Sequence, residues 1–243
     1  MNTVTLEAIH LRKHYGRTIA VVDISFSMEQ GEVVGLLGPN GAGKTTVFYM
    51  IAGFLKPTAG TVRYSGNPIN GLPMYRRAML GISYLPQEPS IFRRMTVEEN
   101  ILAVLEARSG LSSHERRMKA RLLMEEFGIS HVASQPAYTL SGGERRRTEI
   151  ARAIAIEPKF LLLDEPFTGI DPIAIREIKH IIRALASKGI GILLTDHNVR
   201  DTLTITSRAY IINKGVIVAQ GDPEQLINDP LARETYLGED FRM

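Results

Sequence analysis

The chain has 243 residues, of which 44% are hydrophobic and 23% charged, a globular composition with enough apolar side chains for a real core. Its formal net charge of +3 is too small to select a nucleic acid, a membrane surface or any other anionic partner. No apolar run reaches the roughly 20 residues of a membrane helix, and the absence of cysteine excludes disulfides and thiolate metal sites.

Met1 to His10 has no charged stretch leading into an apolar one, so no cleaved signal is expected. Two alternating runs, Val4 to Leu11 and Ile19 to Met28, predict strands with a turn at Gly16. The compact apolar run Val33 to Leu37 predicts a strand buried on both faces. It ends at Gly38, and after a glycine-rich loop Lys44 to Ala52 reads as helix. From about Thr96 to Ile156 the periodicity is helical, with Thr96 and Glu99 spaced as a capping box. Phe160 to Leu163 is a second buried strand. Asp171 then suits an N-cap and Pro172 the first helical position. Ile175, Ile178, Ile181, Ile182 and Leu185 fall on one helical face. Lys188-Gly189 ends that helix, and Ile190 to Thr195 is a third buried strand. Strands alternating with helices predict an α/β fold with a mainly parallel sheet. The middle reads as an inserted all-helical subdomain. The expected division is an α/β core over 1–86 and 158–222, a helical insert over 88–157 and a tail over 223–243.

Gly38-Pro39-Asn40-Gly41-Ala42-Gly43-Lys44-Thr45 fits the phosphate-binding pattern G-x-x-x-x-G-K-[ST] between a strand and a helix. Glycines let successive N–H groups turn toward one anion, and the helix adds its positive end. Lys44 is placed for the β- and γ-phosphates, the Thr45 hydroxyl for Mg²⁺, and Thr46 follows in the same turn. The alternative, a merely flexible turn, leaves the full pattern unexplained. Asp164 and Glu165 close the strand Phe160 to Leu163. Successive strand residues face opposite sides, so Asp164 is assigned to the Mg²⁺ shell and Glu165 to polarising the attacking water.

Leu140-Ser141-Gly142-Gly143-Glu144 resembles the signature of the ABC ATPases, which usually ends in Gln. The order phosphate loop, Gln87, signature, acidic pair, His197 is also that family's order. The resemblance implies a P-loop NTPase core with an N-terminal antiparallel β subdomain. It implies adenine stacking on Tyr15, a Gln87 that senses Mg²⁺ and water, and a His197 that touches the γ-phosphate. It also implies that Asp171 crosses a dimer interface. Ser141 would cap a helix whose free N–H groups form a second anion site. One chain already holds its triphosphate on the phosphate loop, so Ser141, Gly142, Gly143 and Glu144 serve the ATP of a second copy. The expected assembly is a two-fold homodimer around two ATP. Glu144 brings negative charge toward an anion site, and Arg145, Arg146 or Arg147 is expected either to pair with it or to form a solvated face.

Finer stretches are similar to ATP-binding subunits of lipopolysaccharide exporters. They include Thr46 to Met50, Leu85 to Arg94, Thr195 to Arg200 and Tyr236 to Phe241. That resemblance implies a place on the cytoplasmic face of the inner membrane of a Gram-negative bacterium. The implied partners are two membrane-spanning permeases (LptF- and LptG-like) and an LptC-like protein, with no nucleic acid. Phe92 is then expected as an exposed anchor in the groove that receives a permease helix, with Arg93 at its rim. Motif chemistry leaves open an importer ATPase of the branched-chain amino-acid type.

Overall fold

The computed structural model describes residues 4–107 and 110–241. The first three residues and the last two of the predicted tail lie outside them.

The chain opens with β1 (Thr5–Tyr15) and β2 (Thr18–Glu29), antiparallel across a turn at Gly16. Both strands run longer than the alternation suggested. β1 carries register shifts between Ala8 and His14, and this break in the inside–outside pattern hides its second half in the sequence. β3 (Val33–Leu37) feeds α1 (Lys44–Ala52). Then come β4 (Ala59–Tyr64), β5 (Asn67–Pro68), α2 (Met74–Leu80) and β6 (Ile82–Leu85).

The helical stretch follows: α3 (Val97–Glu106), α4 (Ser113–Glu126) and α5 (Gly142–Ile154). The capping box is present at Thr96, whose hydroxyl accepts from the Glu99 N–H while the Glu99 carboxylate accepts from the Thr96 N–H. Similar boxes start α4 at Ser112 and α5 at Ser141. β7 (Phe160–Asp164), α6 (Pro172–Ser187), β8 (Gly191–Thr195) and α7 (Val199–Leu203) complete the buried strand–helix alternation. β9 (Arg208–Asn213) and β10 (Val216–Gly221) form a hairpin over Lys214 and Gly215, whose φ values are 47° and 79°. Two positive φ values in a two-residue turn match the twist of paired strands. The described chain ends in α8 (Pro223–Asn228) and the short turns from Pro230 to Leu237.

The ten strands of the described residues join one sheet in the order β5-β4-β1-β2-β10-β9-β3-β8-β7-β6. β3, β6, β7, β8 and β9 pair parallel to one another, and β1, β2, β4 and β5 form the antiparallel end. The parallel strands have cores on both faces, which is why they read as unbroken apolar runs. Leu161 and Leu163 of β7 pack with Ile178 and Ile182 of α6, while Phe160 and Leu162 pack with Phe48 of α1 on the opposite face. This places the C-terminal ends of β3, β7 and β8 beside one another, the crevice where parallel α/β sheets bind ligands.

Candidate active site

The phosphate loop leaves β3 under tight steric control. Gly38 has φ 147°, and a Cβ there would lie 2.1 Å from the Ile212 carbonyl oxygen. Gly43 has φ 109°, and a Cβ there would lie 2.7 Å from the Ala20 carbonyl oxygen. Glycine is therefore demanded at both positions by backbone contacts from β9 and β2. Lys44 is buried, and its Nζ donates to the carbonyls of Gly38 (2.7 Å) and Pro39 (2.9 Å). Burial pulls its ammonium down from the usual lysine range, opposed by the nearby charges of Glu165 and Asp164.

An open cleft of about 510 Å³ lies over the loop, lined by Ala20, Asn40, Gly41, Gly43, Lys44, Thr45, Thr46, Gln87, Glu165 and His197. Residues from five separate stretches of sequence thus converge on one volume. Gln87 Nε2 donates to Glu165 Oε2 at 2.6 Å, and His197 Nε2 stands 2.6 Å from Glu165 Oε1. The Thr168 hydroxyl also donates to Oε2, at 3.1 Å.

The two acids are separated by a different device from the strand alternation expected. Asp164 is the last residue of β7, but Glu165 has left the strand with φ 47°. Its N–H donates to the Thr195 carbonyl, and its side chain turns into the cleft. Asp164 instead accepts from the Tyr84 hydroxyl at 3.1 Å, on Oδ2. Burial raises the Asp164 carboxyl above its usual range. Burial, with the charge of Asp164 behind it, pushes the Tyr84 phenol up as well, so it remains a donor.

The cleft fits a nucleotide triphosphate and its cation. Two glycines at which a Cβ would collide form the cradle, and Thr45, Gln87 and Asp164 offer hard oxygen donors of the kind Mg²⁺ takes. Among the described residues no three acidic or histidine side chains gather into a metal cluster.

The signature residues lie elsewhere. Ser141 caps α5: its hydroxyl accepts from the Glu144 N–H at 3.3 Å, and Glu144 Oε2 accepts from the Ser141 N–H at 2.9 Å. None of Ser141, Gly142, Gly143 or Glu144 lines the cleft of its own chain. Gly143 also has a packing reason, since a Cβ there would stand 2.8 Å from the Ala174 Cβ. Glu144 completes the capping box and meets His131 Nε2 at 3.0 Å. The expected pairing with the arginine run does not occur. Arg146 is buried on Glu149, Arg147 pairs with Glu177, and the run is not a solvated face either. The periodicity of α5 turns Arg146 inward, toward Pro86 and Asp164, whose carbonyls accept from it at 3.1 and 3.2 Å.

Asp171 caps α6 as expected, its Oδ1 accepting from the N–H groups of Ile173 (2.9 Å) and Ala174 (3.0 Å). Tyr15 ends β1, is 48% exposed, and has the Lys13 ammonium 5.3 Å from its ring centre, but it does not line the cleft. Phe92 is 49% exposed, so it is not a core residue, and the Arg152 guanidinium lies 4.9 Å from its ring centre. Arg93 is exposed beside it.

Three contributors escaped the sequence reading. Asp196 is buried, with Oδ2 accepting from the Phe167 N–H and Oδ1 from the Asn198 N–H, and so fixes the chain on both sides of the cleft. Tyr84 is a second, and Arg146, expected only as a partner of Glu144 or part of a solvated face, is the third. β6 reads Ile-Ser-Tyr-Leu, too short and too mixed to be recognised as a strand.

A family model described as ABC transporter matches residues 21–168. The lipopolysaccharide export system ATP-binding protein LptB of Haemophilus influenzae is 54% identical over 238 residues, covering 98% of this chain and 99% of that protein. LptB of Escherichia coli K12 is 52% identical over 239 residues, with 98% and 99% covered. A probable ABC transporter ATP-binding protein of Azorhizobium caulinodans is 54% identical, with 98% and 85% covered. Among solved structures, the ADP conformation of an ATP-binding cassette of an ABC transporter superposes with a TM-score of 0.87 at 30% identity, covering 98% of this chain and 100% of that one.

Proposed function

Because the chain belongs to the ABC transporter ATPase family, and is an ATP hydrolase of that family, we propose that it powers export of lipopolysaccharide from the inner membrane toward the outer one. The observation that carries this reading is identity of 50–54% along nearly the whole chain to several proteins named for that export system.

The site residues act as follows. Lys44 leaves the carbonyls of Gly38 and Pro39 for the β- and γ-phosphate oxygens. The N–H groups of the loop and the start of α1 hold the remaining phosphate charge. Thr45, Asp164 and Gln87 would hold Mg²⁺, which when bound would supply positive charge against the phosphate oxygens. Glu165 orients water and takes up its proton, while Gln87 and His197, each within 2.6 Å of one of its oxygens, keep its carboxylate in place. The Ser141 end of a second copy closes over the same nucleotide, so turnover requires a homodimer. Tyr15 stacks on adenine once that copy is in place, and Asp171 lies at the junction of the two chains.

No described helix is long and apolar enough to cross a membrane; attachment through partners is proposed from the likeness to export-system ATP-binding proteins. The partners are two permeases of the LptF and LptG kind, with an LptC-like protein, at the cytoplasmic face of a Gram-negative inner membrane. Phe92 and Arg93 present the surface to them. Purification of the tagged chain from membranes tests the reading: two permeases should co-purify, and vesicles carrying the complex should release lipopolysaccharide with ATP. Recovery of an amino-acid permease instead would overturn it.

A further inference from the structure

The Tyr84 hydroxyl donates to Asp164 Oδ2 at 3.1 Å. Its ring lies on the face of the sheet that carries α1, while its strand neighbours Ser83 and Leu85 turn to the face that carries α5. The Tyr84 ring is also packed edge-on against Phe54 (5.4 Å between centres, 68°) and Tyr49 (6.0 Å, 84°). Phe54 is 52% exposed and Tyr49 38%. Edge-to-face aromatic contacts are directional, so these two rings fix the plane in which the phenol lies. A buried carboxylate with one oxygen held by a fixed donor keeps one orientation, and that leaves Oδ1 for a cation.

We propose that Tyr84 is a positioning residue: its phenol, held by the packing of its ring against Phe54 and Tyr49, orients Asp164 for the divalent cation. This rests on the proposed role of Asp164 in holding that cation. Groups that orient a ligating side chain without touching the ion commonly change metal affinity by one to two orders of magnitude when removed.

The test uses Tyr84→Phe, which keeps the ring and deletes the hydroxyl. The intact protein is titrated with Mn²⁺ in the presence of a non-hydrolysable ATP analogue, and free Mn²⁺ is read by electron paramagnetic resonance. The expected result is Mn²⁺ affinity about tenfold weaker, with metal-free binding of the analogue in chelator unchanged. Unchanged Mn²⁺ affinity, or an equal loss with and without metal, would overturn the positioning role. Phe54→Leu should weaken Mn²⁺ binding in the wild-type background and have no effect in the Tyr84→Phe background. Additive effects would overturn the role of the ring. Both measurements use the chain without membrane partners, so failure to recover permeases would leave them standing.

Discussion

Glu165 Oε2 receives the Gln87 amide at 2.6 Å while its other oxygen faces His197 Nε2 at the same distance. A carboxylate gripped from both sides is preorganised, and its rotamer does not have to be found at the moment of reaction. Replacing Glu165 by Gln preserves the shape but removes the proton acceptor. ATP binding should persist, and kcat should fall by a factor of about 10² to 10⁴. Single-turnover hydrolysis with equilibrium binding checks this, and wild-type turnover in the variant would remove Glu165 from the role of base.

Arg146 links three parts of the site through one buried cation. It donates to the carbonyls of Pro86 and Asp164 and pairs with Glu149 at 3.2 Å, with Arg146 6% and Glu149 2% exposed. Glu149 also accepts from the Ser90 N–H at 2.8 Å. Deleting one partner strands a charge in low dielectric. Arg146→Met should therefore destabilise the fold by about 3–5 kcal/mol, and Arg146→Met with Glu149→Leu by less than the single change. Urea unfolding of the two variants decides it. A double variant weaker than the single one would show that the pair is not the source of the cost.

The parallel strands were legible because burial on both faces leaves unbroken apolar runs, as in Val33 to Leu37 and Phe160 to Leu163. The phosphate loop was legible because collisions at Gly38 and Gly43 leave no other residue type possible. β4 and β6 were not, because β1 and β7, with which they pair, lie far along the chain, and the β9–β10 hairpin was not because its turn, Lys214-Gly215, carries no Asn-Gly or Asp-Gly signal. Glu144 was misread for a related reason. Its charge looked like a problem for an anion site, but at the third helical position it is the reciprocal half of a cap. Likewise, strand alternation predicted opposed roles for Asp164 and Glu165, but the positive φ that separates them was invisible in the residue types.

The cap at Ser141 carries a pH signature. The Glu144 carboxyl is held below its ordinary 4.5 by the Ser141 hydroxyl first, then by the Ser141 N–H and by His131. A lowered folded-state pKa means the unfolded chain binds the proton more readily. The contribution of Glu144 is thus complete above pH 4.5 and is lost as pH falls through the lowered folded value. Glu144→Gln keeps the reciprocal geometry without the charge. Wild type should exceed it by about 0.5–1 kcal/mol at pH 7, and the advantage should shrink below pH 4.5. Urea midpoints at pH 7, 5 and 4 measure it, and an advantage constant across that range would assign it to something other than the carboxylate.

Gly38 and Gly41 both have positive φ, 147° and 77°, but they are not equivalent. A methyl group on Gly41 meets nothing within 4 Å, so Gly41→Ala costs backbone strain alone, about 1–2 kcal/mol. The same methyl on Gly38 would stand 2.1 Å from the Ile212 carbonyl oxygen, and β9 is paired to β3 through Leu37 and Ile211. Relief requires either β9 or the loop to move, and the loop is what holds Lys44 to the phosphates. Gly41→Ala should therefore bind ATP with affinity reduced by no more than about tenfold, whereas Gly38→Ala should lose binding and melt earlier. Isothermal titration with thermal unfolding separates the two. Equal losses in both variants would mean that positive φ, and not the contact with β9, sets the requirement for glycine at the start of the loop.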